Sequence, residues 1–455
     1  MPDTIAAIAT IQAPSAIGIV RLTGPDTRRI LDGVFAPANG RPMSAQTPRK
    51  LVFGRALDRS GGVIDEALAV LFPGPNSYTG EDCAEIHCHG SPVVLDEVLA
   101  AAFACGARQA RGGEFTQRAF LSGRMDLIQA ESVADLIDAE SAGAARNAVG
   151  QLQGRMSRSV GGIYDALMDV VSRFYAIVDY PDEEIEPLQQ AQIEQTLAES
   201  AERLDALLAT FSRGRLLKSG VPAVILGKPN AGKSSLLNAL LGYDRAIVTD
   251  IAGTTRDTVE EKVLVGSVLL RLCDTAGIRD AADTVERLGV ERAQQAAQRA
   301  ELALLVLDGS APLTREDEEA IAAARRARRM LVLVNKADLP QVLDTAALRV
   351  RFGEVIPLSA RSGAGVDALC RAVEELFAGG ETPRGELLTN ARQAESAQRA
   401  LDAVRRAEQA LRIGLSPDAV LTDAEEALEA LAEFSGKRVR DDLVATIFSR
   451  FCVGK

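Results

Sequence analysis

The sequence predicts a multidomain chain of α/β and all-α parts, with a doubly wound α/β domain inserted between the halves of a helical domain. Three observations carry this. Strand-and-turn punctuation fills the first 118 residues, helical periodicity flanks a central block, and strands alternate with helices inside that block. At 455 residues the chain has room for about three domains. Its 47% apolar and 25% charged content are ordinary for a globular protein, although Trp is absent. A net charge of −12 argues against a broad nucleic-acid coating and leaves room for a local basic patch. No apolar stretch approaches the ~20 residues of a membrane span. Met1-Pro2-Asp3-Thr4-Ile5 lacks a charged leader, and six scattered cysteines suit a reducing, cytoplasmic setting.

Residues 1–118 carry strand-length runs at Ile17–Leu22, Glu66–Phe72 and Ala84–His89, with a turn at Pro73-Gly74-Pro75-Asn76-Ser77. From 119 to 215 the period is helical: Leu127, Ala130, Val133, Ala134, Ile137 and Ala139 lie broadly on one face. Ile193, Leu197, Ala201, Leu204, Leu208 and Phe211 do so more cleanly, and Arg213-Gly214 reads as the helix stop. Residues 216–380 alternate: strands are expected at Val221–Leu226, Val268–Cys273, Leu302–Leu307, Met330–Val334 and Val355–Leu358. Helical periodicity returns over 381–455, through Leu401, Val404, Leu411, Leu421, Leu428, Leu431 and Phe434. The block 216–380 therefore interrupts one helical domain.

The chemistry of the block is set by Gly227-Lys-Pro-Asn-Ala-Gly232-Lys233-Ser234, between an apolar strand and the helical Ser235–Leu241. Strand, glycine-rich loop and helix N-terminus make a phosphate-binding P-loop. Lys233 should reach the β- and γ-phosphates, and the Ser234 hydroxyl should ligate Mg²⁺. Asp274-Thr275-Ala276-Gly277 ends one strand; Asp274 can hold the Mg²⁺ shell and the Gly277 amide can sense the γ-phosphate. Asn335-Lys336-Ala337-Asp338 ends another. The Asp338 carboxylate can accept from guanine N1–H and its exocyclic amine, which adenine cannot match. Ser359-Ala360-Arg361 suits the loop behind the base. In this order the motifs describe a Ras-like P-loop GTPase domain. The rival Rossmann reading of Gly363-Ala-Gly365-Val-Asp-Ala368 lacks a ribose-binding acid on a following strand.

Thr255, in Ile247–Asp257, is the candidate switch threonine for Mg²⁺. Ile278 stands where Ras-type switches place a water-orienting Gln, so the water must be held by another group; Asp280, Asp283 and Glu286 are the nearby acids. No arginine finger is assignable. Asn230 and backbone carbonyls of the 247–255 loop offer neutral oxygens that suit a monovalent cation.

The chain resembles, end to end, the MnmE (TrmE) family of bacterial tRNA-modification GTPases. The strings that carry this are Phe72–Asp82, Gly113–Leu121, Ala134–Ala139, the 227–257 block and Phe451-Cys452-Val453-Gly454-Lys455. The resemblance implies an N-terminal α/β domain that binds 5-formyltetrahydrofolate or a related one-carbon tetrahydrofolate and forms a homodimer. It implies a flavin (FAD)-binding partner of the MnmG (GidA) type, with tRNA as substrate. The activity implied is GTP hydrolysis coupled to addition of an aminomethyl or carboxymethylaminomethyl group at C5 of the wobble uridine (U34). The family's K⁺ ligands match Asn230, Thr249, Ile251 and Thr254, and its Mg²⁺ ligands match Ser234 and Thr255. Glu286 matches the acid that orients attacking water. GTP contacts carry over to Asn230, Ala231, Gly232, Lys233, Ser234 and Ser235. They continue through Thr249, Asp250, Ile251, Ala252, Gly253, Thr254 and Thr255. Asp274, Thr275, Ala276, Gly277, Asn335, Lys336, Asp338, Ser359, Ala360 and Arg361 complete them. Folate positions match Arg21, Glu85 and Lys455, with Arg124 where the family usually has Lys. Cys452 matches the family's C-terminal cysteine, a candidate for the modification chemistry or for packing.

Cys83, His87, Cys88 and His89 hold both histidines of the chain. On a strand Cys88 faces away from His87 and His89, and the spacing fits no closed zinc pattern. Glu85, His87 and His89 share a face that suits a wall of the folate pocket. The alternative function is a GTPase switch for ribosome assembly, which has no use for residues 1–118 and would show a KH-type RNA module that is not evident here. Arg399, Arg405, Arg406, Arg412, Lys437, Arg438 and Arg440 are candidate tRNA contacts, set against the simpler reading of a solvated helix face.

Overall fold

The computed structural model describes residues 3–179, 187–243, 261–273, 294–377, 385–437, 447–448 and 451–454. It divides into two compact units: Met1–Ala134 with Gln151–Leu204 and Glu395–Lys455, and Asp135–Gly150 with Asp205–Ala394.

The first unit holds seven strands: β1 Ile5–Ile8, β2 Ser15–Thr23, β3 Phe35–Pro37, β4 Val52–Leu57, β5 Val63–Phe72, β6 Cys83–Gly90 and β7 Arg108–Gln109. They order as β3-β4-β5-β6-β2-β1-β7. Only the β1–β7 pairing is parallel. Period-two alternation puts Val20, Leu22, Ala69, Leu71, Ala84 and Ile86 on one face, buried against α1 Thr27–Val34 and α2 Pro92–Ala104. The opposite face carries Phe53, Leu68, His87 and Ile19 in one cross-strand row. Helices α3 Glu114–Leu121 and α4 Leu127–Ile137 follow. Leu127, Ala130 and Val133 of α4 join Phe448 and Phe451 in a small apolar cluster. Ile137, expected on that face, is 46% exposed because the helix ends there.

Helices α5 Ala142–Leu152, α6 Arg155–Asp179, α7 Pro187–Ala209 and α8 Phe211–Ser219 come next. The expected stop at Arg213-Gly214 is wrong: α8 runs through both and ends at Gly220, whose φ of 78° caps it. Gly214 is a glycine for contact rather than termination, since a Cβ there would lie 2.0 Å from the Leu388 carbonyl oxygen. The C-terminal helices Ala391–Arg412 and Pro417–Ser435 bury Leu401, Val404, Leu411, Leu421, Leu428, Leu431 and Phe434 as their period requires.

In the second unit β8 Val221–Leu226, β9 Glu261–Val265, β10 Val268–Leu272, β11 Leu302–Asp308, β12 Arg329–Asn335 and β13 Val355–Pro357 order as β13-β12-β11-β8-β10-β9. All pairings are parallel except β9 on β10. The edge strand β9 was not anticipated, because its alternation, Glu-Lys-Val-Leu-Val, is too short to stand out. Val221, Ala223 and Ile225 face one apolar layer, with α9 Lys233–Tyr243; Val224 and Leu226 face the other. A sheet buried on both faces needs such continuous apolar strands.

Candidate functional site

The carboxyl ends of β8, β11, β12 and β13 converge on one loop cluster, as a doubly wound sheet requires. The P-loop leaves β8 at Gly227, Asn230 has a left-handed φ of 57°, and Gly232 has φ 99°. Gly232 cannot be substituted without collision, since a Cβ would sit 2.0 Å from Asn335 Nδ2. That nitrogen donates to the Ala231 carbonyl at 2.9 Å, and Asn335 Oδ1 accepts from the Ala360 amide at 2.9 Å. One buried amide thus joins the glycine-rich loop after β8, the β12 terminus and the Ser359–Arg361 loop.

The Lys233 ammonium donates to the Gly227 and Lys228 carbonyls, both at 2.8 Å. Burial lowers its pKa from the ordinary lysine value. Ser234 and Ser235 open α9 exposed to solvent. The Ser359 hydroxyl donates to Asp338 at 2.7 Å, which holds that carboxyl below the usual carboxylate range. Lys336, at φ 63°, donates to Asp308 at 2.6 Å. Arg361 lies exposed at the same loop.

Two anchors of this site were not foreseen. Asp308 accepts from Lys336 and from the Ser310 amide and hydroxyl, at 3.0 and 2.6 Å. Lys228 donates to Asp317 at 2.8 Å, with side chains 11% and 1% exposed. Asp317 also closes a capping box with Thr314 on the helix Arg315–Ala324. The Thr-x-x-Asp spacing ahead of an apolar face was the available signal for that cap.

In the first unit, Arg21 donates from Nε and Nη2 to Glu85 Oε1 at 3.0 and 2.9 Å, and from Nη1 to the Gly454 carbonyl at 3.3 Å. Glu85 Oε2 meets His87 Nε2 at 3.1 Å. The Tyr78 and Phe115 rings flank the guanidinium, each 5.8 Å from its carbon. The C-terminal segment reaches this place by pairing Val453 with Gly112, while the Cys452 carbonyl accepts from the Gly113 amide at 3.2 Å. Phe451 is buried and the Cys452 thiol is exposed. Cys88 points into the core on the opposite face from Glu85, His87 and His89, and burial pushes its thiol up to about 12. Arg124 is exposed. Thr249, Asp250, Ile251, Ala252, Gly253, Thr254, Thr255, Asp274, Thr275, Ala276, Gly277, Ile278, Asp280, Asp283, Glu286, Arg438, Arg440 and Lys455 lie outside the described residues.

A model described as the GTP-binding protein TrmE N-terminus matches residues 4–124, and one described as the MnmE helical domain matches residues 127–452. The chain belongs to the MnmE family of tRNA modification GTPases. A tRNA modification GTPase MnmE from Roseiflexus sp. (strain RS-1) is 45% identical, with 100% of this chain and 99% of the relative covered. Those of Symbiobacterium thermophilum and Geobacillus thermodenitrificans are 42% and 39% identical over the same shares. As an MnmE-family member the chain is a GTP-hydrolysing enzyme.

The helical arginines considered as tRNA contacts are engaged within the chain. Arg399 pairs with Glu433, Arg406 with Asp423 and Glu426, and Arg412 with Glu194 and Glu408. Lys437 lies 4.0 Å over the Tyr164 ring. Among the described residues no helix is long and apolar enough to cross a membrane.

Proposed function

We propose that the chain is a K⁺-dependent GTPase of the cytoplasm. With a flavin (FAD)-dependent partner of the MnmG type, it adds aminomethyl or carboxymethylaminomethyl groups at C5 of the wobble uridine in certain tRNAs. The observation that carries this reading is the meeting of Arg21, Glu85 and the Gly454 carbonyl. A plain assembly switch has no use for a half-buried ion pair at which the thiol-bearing C-terminus docks.

That cluster suits a one-carbon tetrahydrofolate. A carboxylate such as Glu85 accepts from the amine and ring N–H of a pterin, and Arg21, Arg124 and Lys455 offer cations to its glutamate tail. The bound folate supplies the one-carbon unit. Arg21 and Glu85 hold and orient, and the exposed Cys452 is the candidate nucleophile nearby.

In the GTPase domain Lys233 takes the β- and γ-phosphates, and Ser234 and Thr255 are the Mg²⁺ ligands. Glu286 orients the water that Ile278 cannot hold. Asn230, on the exposed crown of the P-loop, joins Thr249, Ile251 and Thr254 as the K⁺ ligand set. Potassium supplies positive charge against the transition-state phosphates. Homodimerisation is supported by the N-terminal sheet, whose free face shows Ile17 60% and Phe53 54% exposed.

The test is reconstitution: purified chain, flavin partner, unmodified tRNA, GTP and a one-carbon tetrahydrofolate, followed by nucleoside mass analysis. Appearance of the C5 adduct only when GTP and K⁺ are present is expected. An adduct formed equally without this chain would overturn the reading.

A further inference from the structure

The amino end of the GTPase sheet carries an arginine run that the nucleotide chemistry leaves unused. Arg325-Arg326-Ala327-Arg328-Arg329 joins the helix Arg315–Ala324 to β12, and all four arginines are exposed. The Arg328 and Arg329 amides bond the Ala300 and Glu301 carbonyls, which brings exposed Arg299 alongside. Arg325 and Arg351 flank the Phe352 ring at 5.8 and 4.9 Å. Six guanidinium groups therefore share one end of the domain. Among the described residues two carboxylates pair with them: Glu301, 3.3 Å from Arg328, and Glu318, 2.6 Å from Arg351. Among the described residues Arg299 and Arg326 have no side-chain partner, and Arg329 bonds only the Leu376 carbonyl and stacks on Phe377. A helix C-terminus accounts for one such cation, not six.

From this geometry we infer that the arginine cluster is a contact surface for the phosphate backbone of the tRNA substrate. The inference rests on the tRNA reading above and gives that substrate a docking surface. The chain is acidic overall, at −12, so an end where six arginines meet two paired carboxylates is a local exception that a polyanion would find. The helical arginines weighed earlier differ in kind, because Arg399, Arg406 and Arg412 are each neutralised by a glutamate or aspartate. Ala327 is the one apolar residue within the run Arg325–Arg329. The patch also sits at the start of β12, whereas Asn335 at its other end frames the nucleotide, about 20 Å away along the strand. RNA held at one end leaves the nucleotide edge open.

The experiment is filter binding of bulk tRNA to the full-length chain across a salt series. The variant Arg299→Gln/Arg326→Gln breaks no intrachain side-chain bond among the described residues, and Arg406→Gln/Arg412→Gln serves as the comparison. Retained binding of a fluorescent GDP analogue reports that the domain is folded. The expected result is a loss of about tenfold in tRNA affinity for the first variant. Its log K against log salt slope should fall by about 1.5 for two lost phosphate contacts, with the comparison close to wild type. Unchanged affinity and slope would overturn the inference. So would a variant that binds tRNA normally but loses the flavin partner, which would make the surface an acidic-protein dock. If the wild-type chain binds no tRNA yet wobble modification still depends on it in cells, the surface is refuted and the functional reading stands. If modification does not depend on it, the reading itself falls.

Discussion

Asn335, at the end of β12, ties that strand to the loop after β8 by donating from Nδ2 to the Ala231 carbonyl at 2.9 Å. Its other atom, Oδ1, accepts from the Ala360 amide, and the side chain is 3% exposed. Replacement by Ala removes both bonds and leaves buried groups unpaired, at about 2–3 kcal/mol. The expected outcome for Asn335→Ala is GDP and GTP affinity weakened together, by roughly 30- to 150-fold, in equilibrium titration.

Potassium dependence is the second expectation. Replacing K⁺ by Na⁺ at constant ionic strength should slow GTP hydrolysis at saturating nucleotide, and Asn230→Ala should remove most of the difference between the two salts. Equal rates in both salts for the wild-type chain would eliminate the cation from the account.

The N-terminal charge network sets an acid limit on stability. Burial alone would raise the Glu114 pKa, but bonds from Arg108, the Arg111 amide and Arg118 outweigh it and hold the carboxyl at about 2, from an ordinary 4.5. Asp3, bonded chiefly by Arg108, is likewise lowered to about 2. Carboxylates depressed on folding stabilise above their unfolded pKa, and that contribution is lost as pH falls toward 2. Glu114, 4% exposed, should dominate at on the order of 2–3 kcal/mol, and half-exposed Asp3 should add less. Thermal melts between about pH 5 and pH 2.5 should fall steeply for the wild type and less steeply for Glu114→Gln.

Lys228→Met should cost about 3 kcal/mol of GTPase-domain stability, because it strands the Asp317 carboxylate, 1% exposed, without its cation. Adding Asp317→Asn should recover part of the loss. Denaturant melts of the two variants check this, and purely additive losses would contradict it.

Much of this was readable from residue order. The central strands of the second unit's sheet announced themselves, because a sheet buried on both faces needs uninterrupted Val, Leu and Ile. The P-loop and Asn335–Asp338 announced themselves because their glycines and polar groups sit at strand ends. Gly214 misled because a glycine in a helix looks the same in sequence whether it ends the helix or admits the Leu388 carbonyl. The Lys228–Asp317 and Lys336–Asp308 pairs join residues 89 and 28 positions apart, a separation that no local pattern encodes. The Arg21–Gly454 contact spans 433 positions; the family resemblance named Arg21 and Lys455 as folate positions, but no local pattern pairs Arg21 with the Gly454 carbonyl.

The modification state of the wobble uridine is the most direct readout of what this chain does. Nucleoside mass analysis of tRNA from cells deleted for this chain should show the C5 aminomethyl and carboxymethylaminomethyl forms lost. They should return with the wild-type gene and stay absent with Lys233→Ala. Retention of both C5 forms in the deleted cells would contradict the account.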